Sequence, residues 1–120
     1  MYQLIPMKIK RIYENPEKTD GYRVLVDRLW PRGISKEDAA IKEWNKAVAP
    51  STELRKWFAH EPARFTEFKK LYRQELKNQT GELKRLKAIA DQQNLTLLYS
   101  AKDPLCNQAV VLLDILKKIK

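Results

Sequence analysis

Val24-Leu25-Val26-Asp27-Arg28-Leu29-Trp30-Pro31-Arg32-Gly33 runs from branched apolar residues straight into a charged, aromatic turn. An apolar run without alternation describes a strand covered on both faces, the form taken by the central strands of a parallel sheet. Its carboxyl end carries an acid, two guanidinium groups and an indole, and the charged groups there need water, a partner or a ligand. The stretch therefore reads as a central strand, from Tyr22 to Arg28, that ends at a site.

Upstream, Met7 to Tyr13 alternates apolar Met7 and Ile9 with basic Lys8, Lys10 and Arg11, as a half-exposed edge strand does. Asn15-Pro16 breaks it and Asp20-Gly21 turns the chain. A helical crossover takes about a dozen residues or more, so these strands form either a loose hairpin or a parallel pair with a reduced crossover. Downstream, Ser35 caps a helix with Ile41, Trp44 and Val48 on one stripe, which Pro50 ends. Ser51 caps a shorter helix with Leu54, Trp57 and Phe58 on one face, closed by His60-Glu61-Pro62. Both Trp44 and Trp57 read as core. Phe65, Phe68, Tyr72 and Leu76 predict a helix from Ala63 to about Lys77, and Leu83, Leu86, Ile89 and Ala90 another from Thr80. Leu95 to Ala101 is a third strand, and Asp103-Pro104 opens a last helix that runs to about Lys118. The order predicts an α/β fold, a small three-layer α/β/α domain whose few-stranded, largely parallel sheet is flanked by helices. Residues 1–120 form one domain, with 1–6 as a loose N-terminal extension.

Composition narrows the function. With 43% hydrophobic and 32% charged residues and no apolar run near the roughly 20 residues of a span, the chain reads as cytoplasmic, with no membrane partner and no secretory signal. A single cysteine, Cys106, excludes an internal disulfide, and with a single histidine, His60, it leaves no zinc-type cluster; no metal and no cofactor is expected. A net charge of +9, from 24 basic against 15 acidic residues, favours anionic partners: a small molecule, a nucleotide or nucleic acid.

In open α/β sheets the ligand crevice lies beyond the carboxyl ends of the strands, which brings Asp27 to Arg32 near Ser100 to Asn107. Arg28 and Arg32, beside a helix amino terminus opening at Asp103, would make an anion site, with Trp30 as a wall and Ser100, Lys102 and Asn107 around it. Alternatively Arg28 pairs with Asp27 or a helix carboxylate, and Arg32 is a surface residue. Three residues are candidates for chemistry. Asp27 is a general base or a metal ligand or, alternatively, orients Arg28 or caps a neighbouring turn; His60 suits proton transfer; Cys106, at the third position of the last helix, would have its thiol pKa lowered by the helix dipole. The glycine-rich oxyanion loop of cysteine phosphatases is missing after Cys106.

Several unusual blocks occur in order: 24–33 as quoted, Ala-Pro-Ser-Thr-Glu-Leu-Arg-Lys-Trp-Phe at 49–58, His60, and Leu-Leu-Tyr-Ser-Ala-Lys-Asp at 97–103 followed by Asn107-Gln108-Ala109-Val110-Val111-Leu112. In these, from about Met7 to Leu116, the chain resembles the YeaO-like branch of the domain of unknown function 488 family of bacteria. The resemblance implies a layered α/β/α domain and no assigned reaction. It also implies a histidine early in the last helix, where this chain has Cys106 before Asn107. The reading that follows is a domain that binds an anionic small molecule or nucleotide, with or without turnover. Its alternatives are a nucleic-acid module using the basic helix faces around Lys69, Lys70, Arg73, Lys84, Arg85 and Lys87, and a non-catalytic protein-interaction domain docking through Trp30.

Overall fold

The apolar run that opens the quoted stretch is buried because a strand flanks it on each side. In the computed structural model, which describes residues 7–119, the sheet is built from β1 (Met7–Arg11), β2 (Tyr22–Leu25), β3 (Glu43–Trp44) and β4 (Leu95–Tyr99), in spatial order β1-β4-β2-β3. All its pairings are parallel, with Met7 opposite Leu95, Tyr22 opposite Leu95 and Val24 opposite Glu43. The first two strands are thus parallel but not neighbours, since β4 lies between them. The ladders run on past the strand ends through Ile12 N–H to the Tyr99 carbonyl and Val26 N–H to the Leu98 carbonyl. β2 ends at Leu25 and β4 at Tyr99, each sooner than the apolar pattern suggests, because Asp27 and Ser100 turn to other partners.

Helices α1 (Lys36–Ala39), α2 (Thr52–Phe58), α3 (Phe65–Leu76), α4 (Thr80–Gln92) and α5 (Gln108–Lys117) complete the α/β fold. Alternation along the strands sorts the two faces. Val24, Val26, Leu95, Leu97 and Tyr99 pack with Leu54, Phe58, Phe68, Tyr72, Leu86 and Leu112 of α2 to α5 in the main core. On the other face Leu25, Leu98 and Ile12 meet Ala39 of α1, with Trp30, Ile34, Ile41 and Trp44 packed around them. Residues 1–6, predicted as a loose extension, lie outside the described residues.

Two helix predictions need correction. The helix capped by Ser35 does not reach Val48: Ala40 takes a left-handed conformation (φ 50°) after one turn, and Glu43-Trp44 pair with β2 instead. The amides flanking this pair also find sheet partners, Lys42 N–H on the Arg23 carbonyl and Asn45 N–H on that of Leu25. The edge strand wins over the helical stripe because it satisfies backbone groups of β2 that would otherwise be left bare. Trp57 is 40% exposed rather than core; α2 turns Leu54 and Phe58 inward, and Arg64 covers the indole from outside.

Towards its amino end the second face of the sheet is polar. Asp20, fully buried, receives Lys8, Lys10 and Arg23, while Thr96 donates to its carbonyl. Burial alone would raise this carboxyl, but the bonds from Lys8, Lys10, the Glu17 amide and Arg23 outweigh it and hold the pKa well below the ordinary range. The neighbouring turn can only be glycine: Gly21 has φ +63°, and a Cβ there would sit 2.3 Å from the Asn94 carbonyl oxygen that its neighbour Tyr22 bonds.

Replacing Asp20 by Ala strands the buried Arg23 without a counter-charge and leaves Lys10 only Glu17, and should cost about 3–5 kcal/mol in urea unfolding. Because its pKa is depressed in the fold, the Asp20 contribution is complete above the unfolded value of about 3.9 and drains away as pH falls below it, so acid unfolding of the wild type should begin there and the variant should lack that loss. Ala40→Gly removes a left-handed alanine and should raise stability by about 1 kcal/mol in the same assay.

Candidate functional site

Beyond β2 the chain crosses to one face through residues 28–34 and α1; beyond β4 it crosses to the other through residues 100–107 and α5. Divergence of two adjacent parallel strands leaves a crevice at their carboxyl ends. Here it is a cavity of about 750 Å³, of the size small-molecule sites take. Asp27, Arg28, Trp30 and Arg32 line it from one loop and Ser100, Lys102, Asp103 and Asn107 from the other, with His60 at the turn after α2. The two segments do meet. Cys106 is not part of the lining.

Asp27 joins the parts. It is 8% exposed; one carboxylate oxygen accepts from the Ser100 amide at 3.1 Å, the other from the side-chain amide of Gln108 at the start of α5, and its carbonyl accepts from Trp44 Nε1 at 2.7 Å. Burial pushes its pKa up, against the opposing pull of Ser100, Gln108 and the charge of His60. It does not orient Arg28. That guanidinium donates from Nε to the Pro50 carbonyl at 2.8 Å and from Nη2 to Lys46 at 3.2 Å, so it reaches neither Asp27 nor a helix carboxylate. Those carbonyls belong to a turn already tied down by Tyr72, whose hydroxyl donates to Val48. Arg28 is therefore largely spent on holding the loop before α2.

The other residues divide between wall and scaffold. Trp30 is half-buried, its Nε1 donating to Ile34 at 2.8 Å and its ring edge-on to Trp44 with centroids 5.4 Å apart. Arg32 is exposed at the rim, where its carbonyl accepts from the Tyr13 hydroxyl. Lys102 is exposed as well. His60 and the preceding Ala59 both adopt left-handed backbone (φ 58° and 48°), which sets the imidazole at the cavity wall.

No helix opens at Asp103. Its carboxylate instead accepts from the amides of Leu105 and Cys106, closing a turn of its own. Asn107 then caps α5 by accepting from Val110 N–H at 3.1 Å, while its amide nitrogen donates to the Asp103 carbonyl. Asn107 outcompetes Asp-Pro as the helix start because Asp103 has already used its oxygen in that turn. Cys106 consequently sits before the cap, outside the helix. Its thiol pKa is raised by burial and by Asp103, the reverse of the dipole expectation.

Two arginines escaped the sequence reading. Arg11, taken as the outer face of an edge strand, curls over Tyr13 and donates to the carbonyls of Ala101 and Ser100 at 2.9 and 3.0 Å. Arg55 comes from α2 and lines the cavity beside Phe58. Its Nε is buried and has no hydrogen-bond partner. The signal was available: Arg55 lies one turn before Phe58, on the side that Leu54 and Phe58 turn inward. On the helix faces Arg73 is matched by Asp114, Arg85 by Glu82 and Glu43, and Lys87 by Asp91, while Lys69, Lys70 and Lys84 form no ion pair among the described residues. Among the described residues no group of three His, Cys, Asp or Glu gathers as metal ligands, and no helix is long and apolar enough to cross a membrane.

The resemblance read from the sequence blocks is borne out by comparison. The family model described as "Inactive DUF488-N3 subclade" matches residues 6–119. The chain is 51% identical over 113 residues to "Uncharacterized protein YeaO" of Escherichia coli (strain K12), covering 94% of this chain and 98% of the relative. It is 39% identical over 110 residues to "Uncharacterized protein Mb3100c" of Mycobacterium bovis and to "Uncharacterized protein Rv3073c" of Mycobacterium tuberculosis, with 92% of each chain covered. No solved structure matches.

With its pKa raised, Cys106 should carry less thiolate at neutral pH than an ordinary thiol. Alkylation of the native protein by iodoacetamide at pH 7 should therefore run slower than that of free cysteine, and slower than that of the urea-unfolded chain; a faster native reaction would contradict the placement.

Proposed function

The chain belongs to the DUF488-N3i family, the inactive DUF488-N3 subclade, and from that premise we propose that its cavity binds a small anionic molecule, such as a nucleotide or another phosphate or carboxylate, without transforming it. One observation carries the reading: Arg55 borders the cavity with a buried Nε that no acceptor satisfies. An unmet buried donor costs about 1–3 kcal/mol, a cost that an incoming anion would remove. Arg32 and Lys102, both exposed at the same rim, add steering charge. Arg28, held by carbonyls, has a supporting rather than a direct part.

Binding without turnover accords with the word "inactive" in the family's description. It also accords with the candidates for chemistry: Asp27 has neutral hydrogen-bond partners on both oxygens, Cys106 is off the cavity, and His60, on the same wall as Asp27, makes no hydrogen bond to it. The nucleic-acid alternative loses half of its basic set, because Arg73, Arg85 and Lys87 on the helix faces are ion-paired, leaving Lys69, Lys70 and Lys84. Docking through Trp30 finds little as well, since the indole is half-buried with its N–H engaged. A cytoplasmic setting, where such anions are abundant, is part of the same proposal.

Thermal melts against inorganic phosphate, adenosine monophosphate, glucose phosphate and succinate test it. At least one should stabilise the wild type, by about 2.7 kcal/mol at a hundredfold excess over Kd. Arg55→Gln should weaken that binding at least about tenfold, the worth of one charged hydrogen bond, while leaving the unliganded melt near the wild type. A flat response to the whole panel at millimolar concentration would refute the reading.

A further inference from the structure

We infer that the ligand is zwitterionic: a small organic molecule bearing both an anionic group, carboxylate or phosphate, and an ammonium or comparable N–H donor. The inference rests on the anion-binding reading above and adds the second half of the ligand. The cavity is lined by two opposite charges that leave each other alone. Arg55 has a buried Nε with no acceptor. Asp27, 8% exposed, has only neutral donors, the Ser100 amide and the Gln108 side chain, one on each carboxylate oxygen. No ion pair joins Asp27 or Arg55 to any group among the described residues, although Arg11, Arg28 and Lys102 line the same space.

A carboxylate offers about four acceptor positions, so Asp27 keeps capacity on both oxygens after its two bonds. Burying a charge with neutral partners only is costly unless something completes it. The fold keeps the arginines from supplying that completion, and His60 on the same wall acts on Asp27 through its charge, with no hydrogen bond between them. Arg28, the adjacent cation, is drawn off to the Pro50 and Lys46 carbonyls, and Arg11 to those of Ser100 and Ala101. Each of the two nearest arginines in sequence or strand order is thereby kept from neutralising Asp27. An anion alone would answer Arg55 and add to the charge around Asp27; a ligand with an ammonium answers both. Phe58 and Phe68 line the same cavity and offer an apolar wall to the body of such a ligand.

Calorimetric titration of the full chain with two matched pairs decides the matter: phenylalanine against phenylpropionate, and phosphoethanolamine against ethyl phosphate. In at least one pair the amine-bearing member should bind about tenfold tighter, the contribution of a charge-assisted hydrogen bond. Asp27→Asn should reduce that preference to within about twofold, and Arg55→Gln should weaken both members of the pair. The wild-type comparison stands even if Asp27→Asn folds poorly. Equal binding within both pairs, or a preference that survives in Asp27→Asn, overturns the inference and leaves the anion reading intact. No binding of any of the four, where phosphate or succinate does stabilise the protein, overturns it too; silence from both sets of compounds overturns both readings.

Discussion

The cavity depends on one buried carboxylate. Asp27 follows β2, takes its hydrogen bonds from the first residue after β4 and the first residue of α5, and lends its carbonyl to the edge strand through Trp44. Four elements are thereby indexed to a single residue. Because the two adjacent strands leave toward opposite faces, these bonds set the separation of their loops, with Arg11 and Tyr13 bridging further out. The hydrogen bonds draw the 28–34 and 100–107 segments close enough to share a wall, and the burial they require is what raises the acid's pKa.

A second acid shows the contrast. Asp20 lies on the same sheet, is equally hidden from water, and is met by three cations; Asp27 is met by amides. The first arrangement lowers a carboxyl pKa and locks a turn to two strands, whereas the second raises it and leaves acceptor capacity facing a cavity. Within one small sheet the same side chain is thus a completed structural joint at one end and an open one at the other. The cations could have been shared differently, but Arg28 and Arg11 are committed to backbone carbonyls.

The central place of 22–26 and the meeting of the two loops were legible because they follow from apolar runs and from where parallel strands must end; the strand order was not, since a hairpin or a parallel pair of the first two strands fitted the short connection equally and β4 in fact lies between them. Less could be read where local signals compete. Ile41, Trp44 and Val48 fit a helical stripe as well as any in the chain, yet an unpaired edge of β2 claimed Glu43 and Trp44. Asp103-Pro104 carries the cap signal of a helix start, but the acid closed its own turn and Asn107, four residues on, became the cap. Arg11 and Arg55 were hidden for another reason: a long side chain on a strand edge or a helix flank can reach far from where its backbone stands, and spacing alone does not report the reach.

The placement of β4 has a consequence for how the molecule comes into being. The earliest strands, β1 and β2, touch each other nowhere in the sheet and are each completed only by β4, more than half the chain later. As the polypeptide leaves the ribosome, β1 has no strand partner and β2 only the two residues of β3, so both must wait with bare amides and carbonyls on the other side until Leu95 to Tyr99 emerge and slide between them. The alternating lysines of β1 then serve the nascent chain as much as the finished one, since charge along an unpaired strand discourages wrong partners during that interval.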